Sequence, residues 1–138
     1  MDKKVYIASD HAGFALKSKL CNHFKFLLDL GTNSEKSVDY PDLAHKLTNE
    51  VLKDSSNFGI LICGSGVGMS MAANRVTGIR AGLVYSNEIS RLIRQHNNAN
   101  VLVLPGRFMD EEEAKKSVKT FIETEFEAGR HQTRIDKI

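Results

Sequence analysis

The chain has 138 residues, of which 41% are hydrophobic and 26% charged, and its formal net charge is +2. This length predicts one domain, and the mild charge argues against a nucleic-acid partner. The sequence has no tryptophan, no apolar run approaching the ~20 residues of a membrane span and no apolar signal region. Its two cysteines form neither a disulfide framework nor a zinc-binding spacing, so we expect a reduced, cytoplasmic setting without a membrane partner.

Short apolar runs alternate with helical patterns along the chain. The predicted strands are residues 5–8, 27–30, 59–63, 80–84 and 101–104. The predicted helices follow residues 10–13, begin near Asp42, follow the turn after Cys63, run from Ser86 to about Gln95, and run from about Asp110 to Ala128. Gly129 is predicted to end the last helix and to begin a tail, residues 129–138.

Five apolar strands joined by helices predict an α/β fold with a three-layer, doubly wound, Rossmann-like parallel sheet. The usual strand order of such a short domain is 2-1-3-4-5, and this is the order that we predict. In that order the direction of winding reverses between strands 1 and 3, where the carboxyl ends of the strands form a crevice. The loops at this crevice contain Asp10 and His11 after strand 1 and a glycine-rich turn after strand 3.

The glycine-rich turn follows Cys63 and has glycine at positions 64, 66 and 68. Glycine lets the backbone approach a ligand closely, and the free N–H groups at the start of the next helix favour an anion. A thiol that faces the positive end of a helix loses its proton more easily than a free thiol, which makes Cys63 a candidate base. The turn lacks the lysine of a P-loop and the last glycine of a dinucleotide fingerprint. The alternative is a tight structural turn in which Cys63 is a small buried hydrophobic residue.

The other polar candidates also have structural alternatives. Asp10 can simply cap the helix that follows strand 1, and the asparagines after His96 are typical of a turn. Arg130 and Arg134 can belong to a solvated basic helix end. Three residues on helices are interpreted as structural: Cys21, His23 and His45.

Five motifs together resemble those of ribose-5-phosphate isomerase type B, a family that includes galactose-6-phosphate isomerase subunits. They are Ser9–Phe14 with Lys17, Asp39–Asp42, Cys63–Gly68, Arg94–Asn97 and Gly129–Arg134. The resemblance covers almost the whole chain in the same order. It implies a single sugar-phosphate isomerase domain over residues 1–138 that interconverts ribose 5-phosphate and ribulose 5-phosphate in the pentose phosphate pathway. It also implies a cis-enediolate intermediate, no metal or organic cofactor, and a homodimer or dimer of dimers.

The resemblance further implies a role for each matching residue. Cys63 matches the base that moves a proton between C1 and C2 of the sugar. The backbone amides that match the enediolate-stabilising hole are those of Gly64, Ser65, Gly66, Val67 and Gly68. The hydroxyl of Ser65, where the family often has threonine, can serve the proton exchange between O1 and O2. His96 matches the acid that assists ring opening, with Asp10 and Tyr40 nearby. The remaining matches to sugar or phosphate ligands are His11, Asn97, Arg107, Arg130 and Arg134.

Three alternatives stay open from the sequence. Some family members use a glutamate base elsewhere in this loop, but Cys63 is present here and residues 69–71 offer no carboxylate. Galactose-6-phosphate isomerase subunits lack the Arg-His-x-x-Arg and Gln-His-Asn segments that this chain has, which favours a five-carbon substrate and leaves a six-carbon aldose 6-phosphate, such as allose 6-phosphate, as a side reaction. A non-catalytic sugar-phosphate sensor explains the glycines and arginines but not Cys63 together with His96.

The predicted topology divides these residues between two edges of the sheet. Cys63 and Asp10 follow strands at the carboxyl edge, whereas His96 and Asn97 precede strand 5 at the amino edge. A five-residue strand spans roughly 17 Å, so His96 cannot easily reach Cys63 of its own chain. We therefore predict active sites shared between subunits, with the tail contacting the partner.

Overall fold

The structure is a computed structural model that describes residues 3–138. One parallel sheet contains the strands β1 Val5–Ser9, β2 Leu28–Asp29, β3 Phe58–Cys63, β4 Ala81–Leu83 and β5 Val101–Pro105. The helices are α1 Phe14–His23, α2 Tyr40–Val51, α3 Val67–Asn74, α4 Asn87–Gln95, α5 Glu111–Glu123 and α6 Arg130–Ile135, with a short 3-10 helix at His11–Gly13 before α1. The predicted α/β class and five-stranded parallel sheet are confirmed. None of the helices within residues 3–138 combines the length and the apolar character needed to cross a membrane.

The strand order is β2-β1-β3-β5-β4, so the predicted order of the last two strands is wrong. Every residue of β5 is buried, which suits an apolar strand with neighbours on both sides. The three residues of β4 are only partly buried, as expected at an edge. β1 and β3 are neighbours, with Ser9 paired to Ile62, so the predicted crevice lies between the strands expected. Pairing of Cys63 with Pro105 also brings the loop after β5 beside this crevice.

Side chains alternate along β3 between two hydrophobic cores. Ile60 and Ile62 belong to the first core, the α1/α4/α5 core, which includes Leu16, Leu20, Ile93, Val118 and Phe121. Leu61 and Cys63 belong to the second, the α2/α3 core, which includes Ala44, Leu47, Val51, Met69 and Ala73. Helices therefore cover both faces of the sheet, in the three layers that were predicted.

Local chemistry sets the helix ends. Two helices begin at a side-chain cap, since the Ser86 hydroxyl accepts the N–H of Ile89 at 3.3 Å and Asp110 Oδ1 accepts the N–H of Glu113 at 2.8 Å. Helix α2 begins at Tyr40, before the predicted Asp42, because proline fits the first helical turn, whose N–H groups have no helical partner.

The end of α5 differs from the prediction. The helix stops at Glu123 rather than Ala128, and the extended backbone of Thr124 presents its carbonyl to Arg94 Nε at 3.3 Å. Gly129, at φ +58°, therefore precedes a helix instead of ending one. Residues 130–135 of the predicted tail form α6.

Phe121→Ala is expected to lower the free energy of unfolding by about 3–5 kcal/mol. The Phe121 side chain is fully buried, and its ring centroid lies 4.9 Å from that of Phe58. Phe26→Ala is the matched control, because Phe26 is 53% exposed and its loss should change stability by less than about 0.5 kcal/mol. Urea unfolding of both variants at one protein concentration measures the difference. Equal losses for the two variants would contradict the burial of Phe121 in the core.

Candidate functional site

Three loops meet at the carboxyl edge of the sheet. The N–H groups of Gly106 and Arg107 donate to the carbonyls of Cys63 and Gly64 at 2.8 and 3.0 Å. A Cβ atom at Gly64 would lie 3.3 Å from Arg107 Nη1 and 3.6 Å from the Cβ of Ala12. The loops after β1, β3 and β5 are therefore in contact, and the observed strand order is what brings Arg107 to the glycine turn.

Two glycines of the turn are required by close contacts. Gly66 has φ +80°, and a Cβ there would lie 2.4 Å from Leu83 Cδ1. A Cβ at Gly68 would lie 2.6 Å from Tyr40 Cζ, so the aromatic ring covers the start of α3. Larger residues would displace either the turn or Tyr40. The glycines thus let Tyr40 and the turn form one surface.

Several backbone amides of the turn are available to a ligand. Val67 N–H donates to the Ser65 hydroxyl at 3.2 Å. Among residues 3–138, no hydrogen-bond acceptor faces the N–H groups of Gly64, Ser65, Gly66 and Gly68. Free N–H groups at a helix start favour an anion. The arrangement can therefore stabilise a negative charge that develops beside the turn.

Tyr85 supports the same turn and was not singled out from the sequence. Its hydroxyl donates to the Ser65 carbonyl at 2.7 Å, and its side chain is half exposed. The sequence shows only that Tyr85 lies shortly after β4. Because β5 separates β4 from β3 in the sheet, that position alone does not predict a contact with the turn after β3. Only the folded chain shows that Tyr85 reaches Ser65.

The two thiols lie in different surroundings. Cys63 ends β3 and is 5% exposed, packed in the α2/α3 core beneath the glycine turn. Cys21 lies on α1, where burial, followed by the nearby Asp29 carboxylate, raises the pKa of its thiol. Both cysteines are free thiols. The raised pKa keeps Cys21 protonated and unsuited to act as a base, in agreement with its structural interpretation.

Asp10 and His11 are fixed by hydrogen bonds to the backbone. Asp10 Oδ1 accepts the N–H of Gly13 at 3.1 Å, so this residue does cap the 3-10 helix, the structural alternative considered for it. The His11 Nδ1 atom accepts the N–H of Val38 at 3.2 Å. The proton of the neutral ring is then on Nε2, which is left to donate to a ligand.

The predicted residues form two separate groups. The carboxyl-edge group contains Asp10, His11, Tyr40, Cys63, residues 64–68 and Arg107. The amino-edge group contains His96, Asn97, Arg130 and Arg134. The strand β5 separates the groups, because His96 precedes its first residue and Arg107 follows its last. At about 3.3 Å per residue, β5 places the two groups roughly 17 Å apart.

Arg94 fixes the turn that carries His96 and Asn97. Its Nη1 atom donates to Asn98 Oδ1 at 2.9 Å and to the Ala99 carbonyl at 2.7 Å. Its guanidinium lies 4.7 Å from the ring centroid of Phe58, and burial lowers its pKa below the ordinary arginine value. This buried cation links the end of α4 to the core and, through its Nε bond to Thr124, to the end of α5.

Helix α6 completes the amino-edge group. A cavity of about 420 Å³ is lined by His96, Asn97, His131, Arg134, Ile135 and Ile138. Arg130 and Arg134 are exposed and lie one turn apart on this helix. His131 was not assigned a role from the sequence, yet its ring stacks on His96 with centroids 4.5 Å apart. No sequence spacing connects positions 96 and 131, so only the fold shows the pair.

Comparison with known proteins identifies the family. Residues 5–138 match the family described as Ribose/Galactose Isomerase. The chain belongs to the ribose/galactose isomerase family. It is 48% identical to the probable ribose-5-phosphate isomerase B of Mycoplasma genitalium, over 100% of this chain and 95% of that one. It is 39% identical to ribose-5-phosphate isomerase B of Escherichia coli, over 99% of this chain and 94% of that one.

Solved structures of the ribose/galactose isomerase family agree with the fold. A ribose 5-phosphate isomerase from Thermotoga maritima is similar with a TM-score of 0.94 and 52% identity, over 98% of this chain and 95% of that one. Ribose-5-phosphate isomerase B from M. genitalium with bound ribulose 5-phosphate is similar with a TM-score of 0.95 and 48% identity. The match covers 99% of this chain and 94% of that one. The resemblance stated from the motifs is confirmed, as is the expectation of an isomerase.

Proposed function

We propose that this chain interconverts ribose 5-phosphate and ribulose 5-phosphate. The observation that carries the proposal is the junction of Cys63, the free amides of the glycine turn and Arg107 at one sheet edge. The likeness to an M. genitalium enzyme holding ribulose 5-phosphate supports the same substrate pair. Family membership alone does not identify the sugar, because proteins with the same fold can act on different substrates.

The proposed reaction moves one proton between neighbouring carbons. The Cys63 thiolate takes the proton from C2 of the open-chain aldose, and the electron pair left on C2 forms the C1–C2 double bond of a cis-enediolate. The amides of residues 64–68 stabilise the negative oxygen. The Ser65 hydroxyl passes a proton between O2 and O1, and the Cys63 thiol then returns its proton to C1. The protons move only among Cys63, Ser65 and the sugar, and the proposed steps use neither a metal nor an organic cofactor.

Ring opening and substrate binding use residues from both edges. In the proposed assignment His96 protonates the ring oxygen, assisted by Asp10 and Tyr40, while His11 and Asn97 contact the sugar and phosphate. Arg107, Arg130 and Arg134 bind the phosphate, whose oxygens match the forked donors of a guanidinium. Binding energy from this remote phosphate orients the reacting carbons at Cys63.

The separation of the two groups supports a shared site in a homodimer or a dimer of dimers. A two-fold axis that places the amino-edge group of one subunit against the carboxyl-edge group of the other completes two sites at once. In this arrangement residues 129–138 contact the partner, and the exposed Tyr40, Val67 and Met71 lie where a partner would cover them. We also propose that residues 1–138 form a single domain. The two free cysteines favour a reduced, cytoplasmic setting.

Incubation with ribose 5-phosphate in the presence of a chelator tests the function. Ketose formation is expected, and calorimetry with the same sugar gives binding separately. Binding without turnover would instead favour the non-catalytic sugar-phosphate sensor. Parallel assays with galactose 6-phosphate and allose 6-phosphate establish whether the five-carbon sugar is preferred.

Arg107→Ala is expected to raise KM and to lower kcat/KM by the equivalent of about 1.5–3 kcal/mol, the range for a hydrogen bond to a charged group. The loss should disappear with ribose, which has no phosphate. Arg91→Ala, on α4 and outside both edge groups, is the matched control and should leave both constants nearly unchanged. An equal loss with ribose and ribose 5-phosphate would contradict a phosphate-binding role for Arg107.

A further inference from the structure

Three potential metal ligands converge at the amino edge. The ligand atoms of His96, Glu127 and His131 all lie within 4.8 Å of one another. The imidazole rings of His96 and His131 are nearly parallel, at 14°. Glu127 Oε1 lies 3.6 Å from His131 Nε2, just beyond hydrogen-bond distance. Among residues 3–138, no hydrogen bond to another side chain or to the backbone holds any of these three groups.

The backbone holds the ligand-bearing segments together. The N–H of Glu127 donates to the carbonyl of Gln95 at 3.1 Å, directly beside His96. The N–H of His131 donates to the Ala128 carbonyl at 3.1 Å, which forms the turn that leads into α6. The Glu127 side chain is 51% exposed, so it can rotate without disturbing the core. The segments are thus already placed, and only side-chain rotations are needed to bring the three atoms onto one ion.

We propose that His96, Glu127 and His131 form a binding site for a divalent transition metal such as Zn²⁺. Two imidazoles and one carboxylate are a ligand set that zinc uses with a fourth position open, and zinc–ligand distances are about 2.0–2.2 Å. The neighbouring cavity of about 420 Å³ gives room for a water molecule at that fourth position. Bound metal occupies His96 and therefore inhibits the enzyme reversibly.

The surroundings also select which metals bind. Arg134 lines the same cavity and repels any cation. Imidazole donation to Zn²⁺, Cu²⁺ or Co²⁺ offsets this repulsion, whereas Mg²⁺ and Ca²⁺ prefer oxygen ligands and gain little from two histidines. The site therefore binds transition metals and excludes the abundant hard cations. The inhibition rests on the role proposed for His96, but metal binding does not.

Titration of the chelator-treated 138-residue protein with Co²⁺ and Zn²⁺ tests the site. Cobalt absorption in the visible range reports tetrahedral ligation, and competition with a chromophoric chelator gives zinc affinity. One ion per chain is expected, with Mg²⁺ failing to displace it. The Glu127→Gln and His131→Gln variants should each weaken zinc binding by at least about tenfold. His45→Gln, an exposed histidine on α2, is the matched control and should bind zinc as the unchanged protein does.

Activity measurements separate this inference from the proposed function. Without metal, Glu127→Gln should keep its isomerase activity, and zinc should inhibit it at least about tenfold less strongly than it inhibits the unchanged protein. Equal zinc affinity in the unchanged protein and in the Glu127→Gln/His131→Gln double variant would overturn the site. Zinc ligation at the site without inhibition would overturn the regulatory role and count against His96 as the ring-opening acid. Circular dichroism of each variant confirms that a loss of binding is not a loss of folding.

Discussion

Cys63→Ala is expected to lower kcat for ribose 5-phosphate by about 10²–10⁴-fold or more, the contribution of a positioned proton-transfer group. Binding of the sugar phosphate should change little, because the proposed phosphate and sugar ligands lie on other residues. Cys63→Ser keeps the side-chain size in this 5% exposed position and should be nearly as inactive. Steady-state kinetics and calorimetry on the same preparations give turnover and affinity separately.

Cys21→Ala is the matched control for this prediction. Cys21 is also a free thiol, but burial raises its pKa and it lies on α1 rather than at the carboxyl edge. Its loss should leave turnover nearly unchanged, although a small cavity can cost about 1 kcal/mol of stability. Near-normal turnover in a well-folded Cys63→Ala protein would remove Cys63 from the proposed mechanism.

Mixing inactive Cys63→Ala and His96→Ala proteins is expected to restore activity. With a shared site, a mixed dimer has one site that carries both substitutions and one that carries neither. In an equimolar mixture, random exchange makes half of the dimers mixed, and half of the sites in these mixed dimers are intact. The mixture should therefore recover about one quarter of the activity of the unchanged protein.

Brief treatment with denaturant followed by refolding of the mixture allows subunits to exchange, and differently tagged chains verify that mixed dimers form. The control is each variant refolded alone, which should stay inactive. A mixture of Cys63→Ala with Ser65→Ala should gain no activity over the same two variants refolded separately, because both substitutions lie at the carboxyl edge and every site keeps one of them. Verified Cys63→Ala/His96→Ala dimers without activity would place both residues in one chain's site.

The fold class followed from apolar periodicity, but the order of the last two strands did not. The usual order of short doubly wound domains predicts β4 between β3 and β5. The local composition instead favours β5 in that central position. Val-Leu-Val-Leu of β5 suits a strand buried on both sides, whereas β4 is preceded by Arg80 and contains Gly82. The early end of α5 had no comparable signal, because the Thr124 carbonyl is held by Arg94 from a distant helix.

The sequence predicts which loops meet at the candidate site, but it does not predict which side chains touch there. Asp10 and Cys63 follow neighbouring strands, so topology alone brings their loops together. Two contacts required the folded chain: Tyr85 reaches Ser65, and His131 stacks on His96. Both join residues from different elements, and a single sequence contains no period or spacing that reports such pairs.

The position of the two residue groups at opposite edges of the sheet has a genetic consequence. In a site shared between subunits, as proposed, a chain altered in the carboxyl-edge group and a chain altered in the amino-edge group each keep what the other lacks. A cell that makes both altered chains would therefore regain part of the activity, whereas two lesions in the same group would not rescue each other. Loss-of-function alleles in these residues should sort into two complementation groups that follow the edges of the sheet rather than the order along the gene, because Arg107 lies between Asn97 and Arg130 in the sequence.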